Sequence, residues 1–168
     1  VMDKVMNAPP MNDDTMKDSH FLTQAVELAK ANVEQGGRPF GALIVKNGEV
    51  VSTGVNQILT TGDPTSHAEL NALRQAALKL HSTLLKDCVV YASGQPCPMC
   101  LAAMRMSGIE KIVYAFSNVD AEPYGLSTAS IAEKLRLDPH VQEGLSFTQL
   151  KSSSDTDLYA FWKQKQSV

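Results

Sequence analysis

Two short stretches carry side chains suited to catalysis. Gln95-Pro-Cys-Pro-Met-Cys100 sets two sulfurs, Cys97 and Cys100, three residues apart among prolines, and Ser66-His-Ala-Glu69 sets an imidazole and a carboxylate two residues apart, with His67 thirty residues before Cys97. At i and i+3 in the first turn of a helix the two thiols share a face, where unpaired N–H groups and the helix dipole favour thiolate. Two sulfurs do not complete a zinc site, and His67, also at a helix start, supplies a third ligand of the right type. Three protein ligands leave a fourth position to water, whose pKa the metal lowers toward neutrality. Glu69, left off the metal, can accept a proton from that water and return it, serving as general base and then general acid. The reading is one Zn²⁺ per chain on His67, Cys97 and Cys100 with Glu69 as catalyst, a set suited to metal-assisted hydrolysis.

Each piece alone has another reading. Ser66-x-x-Glu69 is a capping box. Cys97-Pro-Met-Cys100 is as readily a redox dithiol as half of a metal site. A purely structural zinc calls for a fourth Cys or His, and the spare Cys88, beside Val89 and Val90, reads as a small buried hydrophobe. It is the coincidence of the two stretches, each following a proline at a helix start, that favours a catalytic metal. His20, His81 and His140 have no partners in the pattern and read as surface or capping residues.

The elements that position these residues follow from periodicity. Leu22, Val26, Ala29 and Val33 form one helical stripe that begins after Asp18 and Ser19 and stops at Gly36-Gly37. Phe40–Val45 and Glu49–Val55 flank Asn47-Gly48 as a β-hairpin. Ser66–Lys79 is rich in strong helix formers, Asp87–Ser93 reads as a buried strand, a helix runs from about Cys97 to Ser107, and Ile109–Phe116 is a further strand. Strand, short helix and strand imply a parallel pair with a right-handed crossover. Helices are expected over Thr128–Leu137 and Asp157–Gln164, with a fifth strand over Leu145–Leu150. The fold class is α/β, a mixed five-stranded sheet with helices on both faces in three layers.

A chain of 168 residues, 43% hydrophobic and 20% charged, suits one domain. Residues 1–17 read as a flexible tail and 18–168 as the domain, with a C-terminal helical segment from about 151. With 15 Lys+Arg against 18 Asp+Glu the net charge is -3. No run of positive charge tracks a phosphate backbone, which argues against a nucleic-acid partner. Apolar runs such as Val89–Ala92 fall far short of the roughly 20 residues needed to span a bilayer, so no membrane partner is expected. Three cysteines, an odd number with one tight pair, fit a reducing cytoplasm.

His-x-Glu followed by Pro-Cys-x-x-Cys is the pattern of zinc-dependent nucleobase deaminases. Across about Phe21–Asp120 the chain resembles the cytidine and deoxycytidylate deaminase superfamily, most closely its purine-acting branch of guanine deaminases and tRNA adenosine deaminases. The resemblance rests on Pro39–Val45, Asn56, Asp63–Glu69 and Gln95–Ala103. It implies the cytidine deaminase-like fold and a homodimer. It also implies a base held at its edge by Asn56, against Phe40 and near Asp120. The aromatic tail Leu158–Lys163 is similar to that of bacterial guanine deaminases, so the implied reaction is guanine to xanthine and ammonia. Adenosine in tRNA, a nucleoside, cytosine or another amino-heterocycle are the alternatives. Two positions depart from the pattern: Gln95 stands where the family carries Glu, and Met106 where guanine deaminases carry an aromatic.

Overall fold

The computed structural model describes residues 13–166. They form two compact units, one ending at Glu133 and one beginning at Lys134, where the sequence suggests a single domain. The first contains helix α1 (Asp13–Glu34), strands β1 (Gly41–Lys46) and β2 (Glu49–Val55), the short helix α2 (Ile58–Thr61) and helix α3 (Ala68–Leu80). Strand β3 (Cys88–Gly94), helix α4 (Pro98–Met106), strand β4 (Lys111–Phe116) and helix α5 (Asn118–Ala121) follow, then a 3₁₀ turn at Glu122–Tyr124 and helix α6 (Ala129–Lys134).

The sheet runs β2-β1-β3-β4. β1 pairs antiparallel with both β2 and β3, while β3 and β4 are parallel, joined by α4 as the expected crossover. Asn47 and Gly48, at φ 51 and 75, supply the left-handed pair that the tight β1–β2 turn requires. Alternation along the central strands divides the core. Ala42, Ile44 and Val90 face Ala68, Ala72 and Met104 of α3 and α4, and Leu43, Val45 and Tyr91 face Phe21 and Ala25 of α1. A strand covered on both sides has no polar face, which is why Gly41–Val45 is apolar without interruption.

Two expectations are corrected. Among the described residues the sheet has four strands, not five, because residues 145–150 adopt no regular structure. Leu145 and Phe147 alternate as strand residues do but remain exposed, with the Phe147 ring edge-on to His140 at 5.0 Å. Alternation supplies one apolar face, but not the neighbouring strand that backbone N–H and C=O groups need. The helix expected to start at Asp18 begins at Asp13, so 13–17 are helical rather than tail; residues 1–12 lie outside the described residues. Asp13 and Asp14 occupy the first turn, where acids suit the helix dipole. Asp18 is used differently, accepting from the Tyr91 hydroxyl at 2.5 Å and from Lys111 Nζ at 3.0 Å, which ties α1 to β3 and β4. Burial acts to raise the Asp18 pKa, but these two donors outweigh it and hold the carboxyl below its usual range. Burial first, and the Asp18 carboxylate second, push the Tyr91 phenol up.

In the second unit a 3₁₀ turn at Pro139–Val141 precedes helix α7 (Leu158–Gln166), which leaves Leu158, Tyr159, Phe161 and Trp162 exposed. No helix of the described residues is long and apolar enough to cross a membrane.

Two glycines set how closely the helices approach the sheet. A Cβ at Gly41 would lie 2.6 Å from the Ala25 carbonyl oxygen in α1, and one at Gly54 would press on the Ala68 carbonyl oxygen and sit 2.7 Å from the Ala72 amide nitrogen in α3. Both obstacles are backbone, so no rotamer change relieves them. Gly54→Ala is therefore expected to lower stability by about 1–3 kcal/mol or more, the cost of overpacking a filled core. The shift of the urea unfolding midpoint at unchanged slope measures it.

Candidate active site

The two motif stretches meet at helix starts. His67 is the N-cap of α3 in extended conformation (φ -80, ψ 153), and Cys97 is the N-cap of α4 (φ -69, ψ 166), with Pro98 opening that helix and Cys100 in its first turn. Neither N-cap uses its side chain to cap, which leaves imidazole and thiol free to point at each other. His67 Nδ1 lies 3.4 Å from Cys97 Sγ and 3.5 Å from Cys100 Sγ, and the three ligand atoms all fall within 4.8 Å of one another. A tetrahedral zinc, with bonds of about 2.3 Å to sulfur and about 2.0–2.1 Å to nitrogen, spaces such ligands roughly 3.6 Å apart. The donor set and its spacing fit zinc. Cys88 is buried at the start of β3 and is not in the cluster, so the residues present supply three ligands rather than a closed four.

The electrostatics suit cation binding. The hydrogen bond from Cys100, opposed by burial and reinforced by His67, lowers the Cys97 thiol to about 4. The same bond, with burial and the Glu69 carboxyl adding to it, raises Cys100. Glu69 is only 7% exposed, and burial pushes its carboxyl up against a bond from its own amide. A hydrogen bond with Cys100 places it at the ligand set without its being one of the three ligands. The capping-box alternative fails locally. His67 rather than Ser66 is the N-cap, and the Ser66 hydroxyl instead accepts from Asn71 Nδ2 at 3.1 Å.

A cavity of about 270 Å³ opens on this centre, lined by His67, Glu69, Cys97, Phe40, Asn56 and Gln95, with Arg38 and Gly125–Thr128. Of the expected substrate residues, Asn56 and Phe40 are brought here and Asp120 is not. Asp120 Oδ2 accepts from the Ser117 amide at 2.8 Å and completes a capping box on α5. Asn56 is buried, with its Oδ1 taken by the Ile58 amide at 3.1 Å. Asn32 of α1 bridges the chain on both sides of the cavity, donating to the carbonyls of Arg38 at 2.8 Å and Asn56 at 2.9 Å. Sequence reasoning missed Arg38, Asn32 and the Gly125–Thr128 loop. Only Gly125, at φ 71, signalled a turn there, and nothing in its spacing tied that turn to the cysteines. The other histidines have local roles: His81 is the left-handed C-cap of α3, His20 pairs with Gln24, and His140 pairs with Asp138.

Metal analysis of the purified protein is expected to find about one zinc per chain, lost in His67→Ala and Cys97→Ala and kept in Cys88→Ala. Full zinc in Cys97→Ala would contradict the ligand assignment.

The zinc-binding region of cytidine and deoxycytidylate deaminases matches residues 15–116. Guanine deaminase of Bacillus subtilis (strain 168) is 36% identical over 149 residues, covering 88% of this chain and 95% of that protein. A tRNA-specific adenosine deaminase of Aquifex aeolicus (strain VF5) is 37% identical over 128 residues, 76% of this chain and 83% of that protein. The X-ray structure of the Bacillus subtilis guanine deaminase matches the fold with a TM-score of 0.80 at 35% identity, covering 92% of this chain and 95% of that one. With His67, Glu69, Cys97 and Cys100 all inside the matched span and gathered at one cavity, this chain belongs to the cytidine and deoxycytidylate deaminase family of zinc-dependent hydrolytic enzymes.

Proposed function

We propose that the protein deaminates a free amino-substituted nucleobase, guanine first among them, giving xanthine and ammonia. The observation that carries this is a buried carboxyl, Glu69, at a three-ligand metal centre inside a small cavity. At about 270 Å³ the cavity lies just below the usual range for ligand pockets, about 300–1,000 Å³, and suits a single bare heterocycle. The guanine deaminase of Bacillus subtilis, similar over nearly its full length, supports the purine.

Zinc held by His67, Cys97 and Cys100 would supply an acidified water and a Lewis acid. Glu69 takes a proton from the attacking water and delivers it to the ring nitrogen beside the amino-bearing carbon. As the new carbon–oxygen bond becomes a carbonyl, the carbon–nitrogen bond breaks and Glu69 returns the second proton to the amine, which leaves as ammonia. Phe40 packs against the ring, and Asn56, its oxygen already bonded, offers Nδ2 to the ring edge.

The second reading, adenosine in tRNA, draws on the Aquifex aeolicus relative. A net charge of -3 disfavours it, since phosphate contacts dominate such binding. We further propose a homodimer. Leu101 and Met106 of α4 and Tyr114 and Phe116 of β4 are exposed, apolar surface that a second copy would cover. Three free cysteines suit the cytoplasm.

The test is ammonia release from guanine, guanosine, adenine, cytosine and tRNA by wild type and Glu69→Gln. Guanine is expected to be the best substrate. Glu69→Gln should lower turnover by about 10²–10⁴-fold or more while zinc content stays unchanged. Turnover within tenfold of wild type, with zinc bound, would mean that another group moves the protons.

A further inference from the structure

The end of β2 is fastened from both faces of the sheet by two asparagines that take no part in the chemistry. Asn71 of α3 donates through Nδ2 to the Val55 carbonyl at 2.9 Å and to Ser66 Oγ at 3.1 Å, while its Oδ1 accepts from Arg74 Nη1 at 2.8 Å. Asn32 of α1 donates through Nδ2 to the Asn56 carbonyl at 2.9 Å and to the Arg38 carbonyl at 2.8 Å. Both protons of each amide are spent, and two consecutive carbonyls, those of Val55 and Asn56, are each held from a different helix layer.

The bonds around them converge on the same place. The Asn56 amide donates to the Phe40 carbonyl at 3.1 Å, and the Gln57 amide to the Ser66 carbonyl at 2.9 Å. Apart from the Arg74 contact, every bond ends on or beside a residue that lines the catalytic cavity: Arg38, Phe40, Asn56 or His67. The Asn71 amide closes the first turn of α3 on the His67 carbonyl at 2.9 Å, so the side chain that holds Val55 springs from the helix turn that carries His67 and Glu69. What is fixed between them is Asn56, buried, with Oδ1 on the Ile58 amide and Nδ2 left for a ring edge. A shift of either peptide would carry that amide with it, and a misplacement of about 1 Å can cost on the order of 10²-fold.

We propose that Asn32 and Asn71 are positioning residues: from opposite faces of the sheet they fix the end of β2, so that the Asn56 amide stands in a set place relative to the metal-ligand turn of α3. This rests on the deaminase reading above and adds two residues that act on the substrate only through Asn56.

The experiment uses Asn71→Asp and Asn32→Asp. The first keeps the side-chain shape, the Arg74 contact and an acceptor for the Ser66 hydroxyl, but sets a carboxylate against the Val55 carbonyl; the second does the same to the carbonyls of Arg38 and Asn56. One readout needs no substrate. Hydrogen exchange follows the Ile58 amide, which is bonded to Asn56 Oδ1, and each variant should exchange it about tenfold faster with the amides of β3 unchanged. The other readout is kinetic, on the base that wild type turns over best, with zinc content measured alongside. Each variant should raise KM about tenfold, the worth of one amide hydrogen bond, with kcat within about threefold and zinc unchanged. Combined with Asn56→Ala, neither should lower kcat/KM further, because the residue through which they act is gone. An Ile58 amide that exchanges as in wild type, an unchanged KM, a loss of zinc, or an equal fall in kcat/KM with and without Asn56 overturns the proposal. Should one variant fail to fold, the other carries both comparisons. If no base is turned over, the deaminase reading fails and the Ile58 amide alone decides this one.

Discussion

Three ligand atoms on two helix starts, thirty residues apart in sequence, must lie within 4.8 Å of one another, and the rest of the unit is arranged around that tolerance. α3 and α4 lie on the same sheet face, packed through Ala68, Ala72, Cys100 and Met104 onto Ala42, Ile44 and Val90. Small side chains and the bare Gly54 let α3 sit directly on the strand backbone, so its N-terminus is placed by hard contact rather than by flexible side chains. The ligands occupy helix-start positions whose unpaired N–H groups and positive dipole ends stabilise thiolate. Glu69, one residue into α3, shares that rigid placement and is buried.

The cavity wall depends on bonds that consume oxygens. Asn32 holds the backbone at Arg38 and Asn56, the Ile58 amide holds the Asn56 oxygen, and Asn118 links Gln95 to Thr128. The bonds to Asn56 and Gln95 take up side-chain oxygens and leave the amide nitrogens unpartnered. The metal-ligand set sits on two helix starts, and loops fastened to them form the rest of the cavity wall.

The metal centre was legible because its signal is local: Cys97 and Cys100 share a helix turn, His67 and Glu69 share another, and prolines mark both starts. The hairpin was legible from Asn47-Gly48, and the three layers from an apolar run too continuous for a half-exposed strand. What escaped were features created by distant pairing. Asp18 looks like a cap until Tyr91 and Lys111 arrive from the sheet. Thr128 looks like a helix start, and only the folded chain leaves its hydroxyl buried without a partner. The fifth strand failed for the converse reason, since Leu145–Leu150 has the alternation but no ladder partner.

The central claim is a zinc centre made by His67, Cys97 and Cys100 alone, leaving one position open and Glu69 off the metal. X-ray absorption at the zinc edge of the metal-loaded protein tests it most directly. The account predicts two sulfur ligands at about 2.3 Å and two nitrogen or oxygen ligands at about 2.0–2.1 Å, unchanged in Glu69→Gln. A third sulfur, which Cys88 alone could supply, or an oxygen ligand that disappears in Glu69→Gln, would contradict it.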